Sequence, residues 1–176
     1  RIFMKDKTLE LIKTRRSVRS YEDKKVPEEL LNKVLEAGTY APTGRGKQSP
    51  VIVAITSEKY RNIIQKLNAG VMGVNIDPYY GAPVVIAVLA DPSINTWIED
   101  ASLVLGNMML EAHALGLGSV WIHREREIFD SGVGKELLKE WGLPEGLRGV
   151  GSIALGYIKG EYPVAKPRKE NYIKHV

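Results

Sequence analysis

No cysteine occurs among the 176 residues, which excludes disulfides, thiolate metal sites and thiol nucleophiles together. Histidine is scarce: His113, His123 and His175 show no ligand-like spacing, so no metal site is expected. Long apolar runs are missing as well. The longest, Ala82 to Ala90, falls far short of the ~20 residues that span a bilayer, and Arg1-Ile2-Phe3-Met4 lacks the apolar stretch of a signal peptide. Met4 reads as the natural start, and a cytoplasmic protein is expected. Charge of one sign is not segregated either. The 25 basic residues are interleaved with 21 acidic ones, so the net charge of +4 lacks the one-sided stripe with exposed aromatics that a nucleic-acid binder needs. Internal repeats and low-complexity linkers are absent, which makes residues 1–176 one domain, large enough to bury a core.

The elements that are present alternate. Thr8 to Thr14 reads as a short helix, and Pro27 opens a second whose Leu30, Leu31, Val34, Leu35 and Ala37 recur at helical spacing before Gly38. Val51 to Ile55 is β-rich. Ser57 caps a helix with Ile63, Ile64 and Leu67 on its buried stripe. Val84 to Leu89, apolar on both faces, must lie in mid-sheet. A long helix over about Ile94 to Leu115 is apolar nearly all round, because Leu103, Met109, Leu110 and Ala114 fall off the main stripe. Such a helix must be covered on every side. A second subunit would supply the cover that the sheet does not, with Gly106 and Ala112 permitting close approach, so a homodimer is expected. Ser119 to Ile122 reads as a strand, Gly134 to Trp141 as a helix and Leu147 to Ile158 as a glycine-rich strand. On pattern alone this alternation suggests a parallel α/β sheet.

Chemistry concentrates in three places. Arg15-Arg16-Ser17-Val18-Arg19 follows the first helix, and Lys166-Pro167-Arg168 lies near the other terminus. Basic runs are ordinarily solvated faces, but here the arginines fall where a structured turn can aim several of them at one point. Guanidinium forks match phosphate oxygens, so the two clusters suggest a split site for a phosphorylated ligand. Between helix and strand, Ala41 to Gln48 offers small residues with approachable backbone N–H groups. It is not a nucleotide-binding P-loop, which requires Gly at 41 and Ser or Thr at 48, where the chain has Ala41 and Gln48. Gly149 to Ala154 fits G-x-G-x-x-A, yet too little chain remains for a dinucleotide unit.

The order of these motifs resembles the FMN-dependent nitroreductase family. Members open with a helix ending in Arg-x-Ser-x-Arg/Lys, here Arg15, Ser17 and Arg19, followed by a small-residue loop leading to Gln48. A long helix then runs into Gly116-Leu117-Gly118-Ser119-Val120-Trp121-Ile122, and the pattern closes with Leu155-Gly156-Tyr157 and a basic pair. The resemblance covers nearly the whole chain. It implies an α+β fold, with a mainly antiparallel central sheet surrounded by helices in an intertwined dimer, and on strand direction it is preferred to the bare alternation.

It also implies FMN as cofactor, held at the subunit interface. Arg15, Arg16 and Ser17 with Lys166 and Arg168 would take the phosphate and ribityl end, and Arg19 would lie near the N1/O2 edge of the ring. Asn75 would hydrogen-bond the pyrimidine, Ile122, His123 and Arg124 would line the ring, and Pro42, Thr43, Gly44 and Gly46 would reach it from the partner. Arg19, His123 and Arg124 are thus the catalytic candidates. Gly46 stands where many relatives carry Asn, Pro78 where a second Lys often lies, and His123-Arg124 where glycines usually present a backbone N–H to N5. No general acid is evident. The implied activity is NAD(P)H-dependent reduction of nitroaromatics, quinones or similar acceptors in a ping-pong cycle. The alternatives are a same-fold enone reductase, a flavin-consuming enzyme, or an FMN-binding protein without turnover.

Overall fold

The computed structural model describes residues 6–176; the reading of Arg1 to Met4 lies outside them. Asp6 accepts the Leu9 N–H at 3.2 Å and opens α1 (Lys7–Thr14). Pro27 precedes α2 (Glu28–Thr39), and β1 (Val51–Ile55) leads to α3 (Glu58–Met72), whose first turn is capped by Ser57. There follow β2 (Val84–Ala90), α4 (Trp97–Ala114), β3 (Gly118–Ile122), α5 (Glu125–Asp130), α6 (Gly132–Glu140) and β4 (Arg148–Gly156).

The strands form one sheet in the order β1-β2-β4-β3, with every neighbouring pair antiparallel. The parallel arrangement suggested by alternation is therefore wrong, and the α+β architecture implied by the resemblance is the observed one. Each crossover is long enough to return the chain in either direction, so alternation could not choose. β2 is buried along its whole length, as its two apolar faces require. Val85, Ala87 and Leu89 pack toward Ile64 of α3, Ile128 and Phe129 of α5, and Leu137 of α6. Val84, Ile86 and Val88 pack toward Val34 of α2 and Val104, Leu105 and Met108 of α4. Helices thus cover both faces of the sheet.

Within one chain α4 is left partly uncovered: Leu105, Met108 and Ala112 are fully buried against the sheet, but Leu103 is 48% exposed and Ile98 38%. Two details need correction, the first being the place given to Ala112. A Cβ on Gly106 would meet nothing within 4 Å. Ala112 therefore serves the chain's own core, and Leu103, Gly106 and Leu110 make the open stripe. The second correction is α5, a helix of 6 residues that the sequence reading passed over. Its charged sequence shows little periodicity, and packing on β4 stabilises it: Gly149 lets the α5 backbone approach so closely that a Cβ there would collide with the Glu125 carbonyl.

The segment after α1 lies along the outer edge of β3. Ser17 bridges Ser119 in parallel, the Val18 N–H donates to the Ser119 carbonyl at 3.0 Å, and Tyr21 pairs with Ile158. Val18 and Tyr21 are buried and anchor it. Gly118 makes this approach possible, since a Cβ there would stand 2.9 Å from the Val18 side chain.

Candidate functional site

At the end of α1 the backbone leaves the helix at Arg15, and the following arginines divide their tasks. Arg16 turns back: its Nη1 donates to the carbonyls of Lys13 at 2.8 Å and Arg15 at 2.7 Å, satisfying helix-terminal acceptors. Arg15 does not. Among the described residues its Nη1 has no hydrogen-bond partner although it is buried, and the same holds for Arg16 Nε. A buried, unsatisfied guanidinium N–H is costly, and an oxygen of an anionic ligand would satisfy it, so these residues fit a phosphate-bearing cofactor. Ser17 is half-buried beside them, and Arg19 is exposed. The positive field is felt nearby: burial first, then the charges of Arg15 and Arg16, hold the pKa of His113 below its ordinary value.

The C-terminal segment returns to this point through Tyr162. Its hydroxyl accepts the Arg16 N–H at 2.9 Å, donates to the Thr14 carbonyl at 3.0 Å, and its ring stacks on His113 with centroids 5.9 Å apart. Tyr162 thus ties the C-terminal segment to the end of α1, which differs from the expected meeting of the two basic clusters. Lys166 and Arg168 are exposed, and the Arg168 guanidinium donates to the Lys166 carbonyl at 2.8 Å. Among the described residues neither is hydrogen-bonded or ion-paired to the α1 cluster.

The loop over Ala41 to Gln48 is fixed from α4. Asp100, buried, accepts the Gly44 N–H at 2.9 Å and the Thr96 hydroxyl at 2.9 Å, while Thr43 Oγ1 accepts the Gln48 N–H at 3.0 Å. A Cβ on Gly44 would collide with Thr96, so only glycine permits this docking. Gly46 has φ +65° and open space around it, with Arg45 and Gln48 also left-handed at φ 56° and 52°. Asn is the other residue that tolerates this region, which explains how Gly can replace it at position 46. Pro42 is exposed and Thr43 half-buried.

Beyond Ile122, the buried last residue of β3, His123 is exposed and Arg124 adopts φ +81°. A non-glycine residue there costs roughly 1–2 kcal/mol and must be held by its surroundings. Asn68 of α3 does so at two points: its Oδ1 accepts from Arg124 Nε at 2.7 Å, and its Nδ2 donates to the His123 carbonyl at 3.2 Å. Nδ2 also donates to Tyr79 Oη at 3.1 Å, and that hydroxyl donates to Glu125 Oε1 at 3.1 Å. The Ser152 hydroxyl of β4 donates to the same oxygen, leaving Glu125 Oε2 buried without a partner. Burial pushes the Glu125 carboxyl up to about 7, against the opposing hydrogen bonds from Ser152 and Tyr79 and the charge of Arg124. Trp121 Nε1 donates to His123 Nδ1 at 3.4 Å, which favours the tautomer with its proton on Nε2.

Asn75 is exposed in the turn after α3. Asp77 organises that turn, accepting the N–H groups of Tyr79 at 2.9 Å and Gly81 at 2.8 Å and pairing with Arg61 Nη2 at 2.6 Å. A cavity of about 900 Å³ lies elsewhere, between α6 and the start of β4, among Lys135, Lys139, Leu143 and Arg148. It contains none of the nominated residues. A smaller one of about 150 Å³ touches the Ala41–Gln48 loop at Ala41, Thr43 and Gln48. The sequence reading missed Asn68, Tyr79, Asp100, Glu125 and Tyr162. A signal existed for Asn68, which stands four residues after Ile64 and puts a polar group on the buried stripe of α3.

The chain thus combines an antiparallel sheet enclosed by helices, an arginine segment with an unsatisfied buried donor, and left-handed turns at Arg45–Gln48 and Arg124. Residues 12–157 match the profile of the nitroreductase family, and the chain belongs to that family. It is 36% identical over 121 residues to a protein of Methanothermobacter thermautotrophicus named as a proposed NADH dehydrogenase/NAD(P)H nitroreductase. That match takes in 64% of this chain and 59% of the relative, so the chain spans about three fifths of that protein's length. An Archaeoglobus fulgidus protein of the same name is 32% identical, with 89% of this chain and 88% of the relative aligned. Among solved structures, a Bacteroides fragilis nitroreductase with bound FMN superposes at TM-score 0.87 and 31% identity, covering 98% of this chain and all of the other.

Proposed function

We propose that the chain is an FMN-dependent oxidoreductase that takes electrons from NAD(P)H and passes them to nitroaromatic, quinone or related acceptors, as a homodimer with its cofactor at the subunit interface. The observation that carries this reading is the buried, unsatisfied Nη1 of Arg15 at the mouth of the Arg15–Arg19 segment. FMN, when bound, supplies the electron-transfer chemistry. Arg15, Arg16 and Ser17 bind its phosphate and ribityl end, with Lys166 and Arg168 adding charge from the exposed basic pair of either subunit's C-terminal segment. Arg19 supplies fixed positive charge at the edge where reduction places negative charge. Asn75 orients the pyrimidine, Ile122, His123 and Arg124 wall the ring, and Pro42, Thr43, Gly44 and Gly46 close the site across the dimer. The partner meets the chain along the open stripe of Leu103, Gly106 and Leu110 on α4, where an apolar face lacks cover.

Among the described residues no helix is long and apolar enough to cross a membrane, and we place the activity in the cytoplasm, where NAD(P)H is available. Two observations test the reading. The purified chain should bind FMN and show the visible flavin bands, and anaerobic NADH or NADPH should bleach them, with a nitroaromatic or quinone restoring the colour. Failure to take up FMN refutes the proposal; uptake without bleaching by either nucleotide leaves a flavin-binding protein without turnover.

A further inference from the structure

The hydrogen-bond path from Asn68 through Tyr79 to Glu125 belongs to neither the phosphate end nor the edge guarded by Arg19. Its members come from three places, α3, the turn after it and the first residue of α5, and all three are buried. At one end it holds the His123 carbonyl and the Arg124 guanidinium; at the other it is anchored by Ser152 in the middle of β4. The turn it grips is the one where a non-glycine residue stands at φ +81°. Left alone, such a residue returns to the right-handed or extended region. Asn68 is placed to prevent this, because it binds the carbonyl before the strained residue and the side chain of that residue.

We propose that Asn68, Tyr79 and Glu125 are positioning residues that lock the His123–Arg124 turn in its left-handed conformation and so fix the backbone that faces the flavin ring. The inference rests on the FMN reading for what the turn faces, though not for the lock. Tyr79 transmits the constraint: its hydroxyl accepts from Asn68 and donates to Glu125, so neither neighbour can shift without breaking one of the two bonds. Glu125 needs only an acceptor oxygen for this, so Gln can replace it, whereas an apolar residue cannot.

The test combines hydrogen exchange with potentiometry on the full chain. In Asn68→Ala, amide exchange over Ile122 to Glu125 should accelerate at least tenfold while α4 and β2 keep their protection. Tyr79→Phe should act in the same direction, Glu125→Leu likewise, and Glu125→Gln should remain close to the unaltered protein. With FMN bound, the midpoint potential should move in Asn68→Ala and Tyr79→Phe and stay in place in Glu125→Gln. Unchanged exchange at the turn in both Asn68→Ala and Tyr79→Phe overturns the proposal, and so does uniform acceleration over the whole chain in both. If the unaltered protein takes up no FMN, the flavin reading fails alone, and exchange in the same variants still decides whether the lock exists.

Discussion

Glu125 offers the sharpest test of the energetics, because a buried acid must leave its mark on the pH dependence of stability. Burial raises its pKa from 4.5 to about 7 in the folded protein. Between those values the folded chain holds a proton that the unfolded chain has released, so the contribution to stability is complete below about 4.5 and is lost as pH rises through about 7. At 1.36 kcal/mol for each tenfold change in proton activity, the loss amounts to about 3 kcal/mol. Glu125→Gln keeps an oxygen for the Tyr79 and Ser152 hydroxyls but cannot ionise. Its amide brings an unsatisfied donor, a cost of roughly 1–3 kcal/mol that is the same at every pH. The slope therefore carries the information, and the absolute stability does not. The two groups that hydrogen-bond Glu125 keep their state across the range: Tyr79 is held neutral by burial, and the Ser152 hydroxyl does not titrate. Urea unfolding of both proteins in the same cofactor state at pH 5, 6, 7 and 8 should show the variant gaining on the unaltered chain by about 2.5 kcal/mol from the acid end to the alkaline end, the remainder of the loss falling below pH 5. Parallel curves would refute the argument, showing that Glu125 ionises in the fold as readily as in water.

Further outcomes follow from the positions of individual side chains. Arg15→Ala should weaken FMN binding about 10- to 100-fold, the value of a charge-assisted hydrogen bond of about 1.5–3 kcal/mol, and Arg168→Ala, at an exposed residue, should weaken it less; fluorescence titration separates the two. Leu103→Asp should give a folded monomer in sedimentation analysis, because that side chain is 48% exposed in the single chain, whereas Met108→Lys should prevent folding by placing a charge in the core. Arg19→Gln should leave FMN bound and lower its two-electron midpoint by several tens of millivolts, at roughly 30 mV per 1.4 kcal/mol. An unaltered potential in a dye-referenced titration would remove Arg19 from the chemistry.

The elements legible in the sequence were those whose burial is periodic or continuous. β2 announced its central place by six consecutive apolar residues, Val84 to Leu89, with no polar interruption, and Ser57 announced the start of α3 by its cap. Strand direction was not legible from periodicity, which is the same for a strand run either way; the resemblance supplied it. The arginines after α1 were legible as a cluster because they adjoin in sequence, but their division of labour was not: Arg16 turns its Nη1 back onto its own helix and leaves only Nε unpaired, while Arg15 keeps its Nη1 unpaired. Tyr162 escaped notice because its partners, Thr14 and Arg16, lie nearly the whole chain away. Glu125 escaped for a related reason. A carboxylate in a charged stretch reads as solvated, and nothing local reveals that Gly149 draws it against β4.

Two of the positions that depart from the pattern the chain resembles, Gly46 and Arg124, occupy left-handed backbone, a conformation that different side chains reach at different cost. At Gly46 the cost is small. At Arg124 it is not, and compensation arrives from outside the turn. The same arrangement recurs around the candidate site: Asp100 of α4 holds the Ala41–Gln48 loop through Gly44, Asp77 ties the Asn75 turn to Arg61, and Asn68 holds His123 and Arg124. In each case a polar side chain outside the nominated contact residues fixes the backbone that carries them. Such residues supply order before a ligand arrives, and misplacement by even 1 Å is expensive in a binding site. Their loss should therefore show in cofactor affinity and potential before it shows in the melting of the fold, which separates them from core residues such as Met108 and from surface charges such as Lys159.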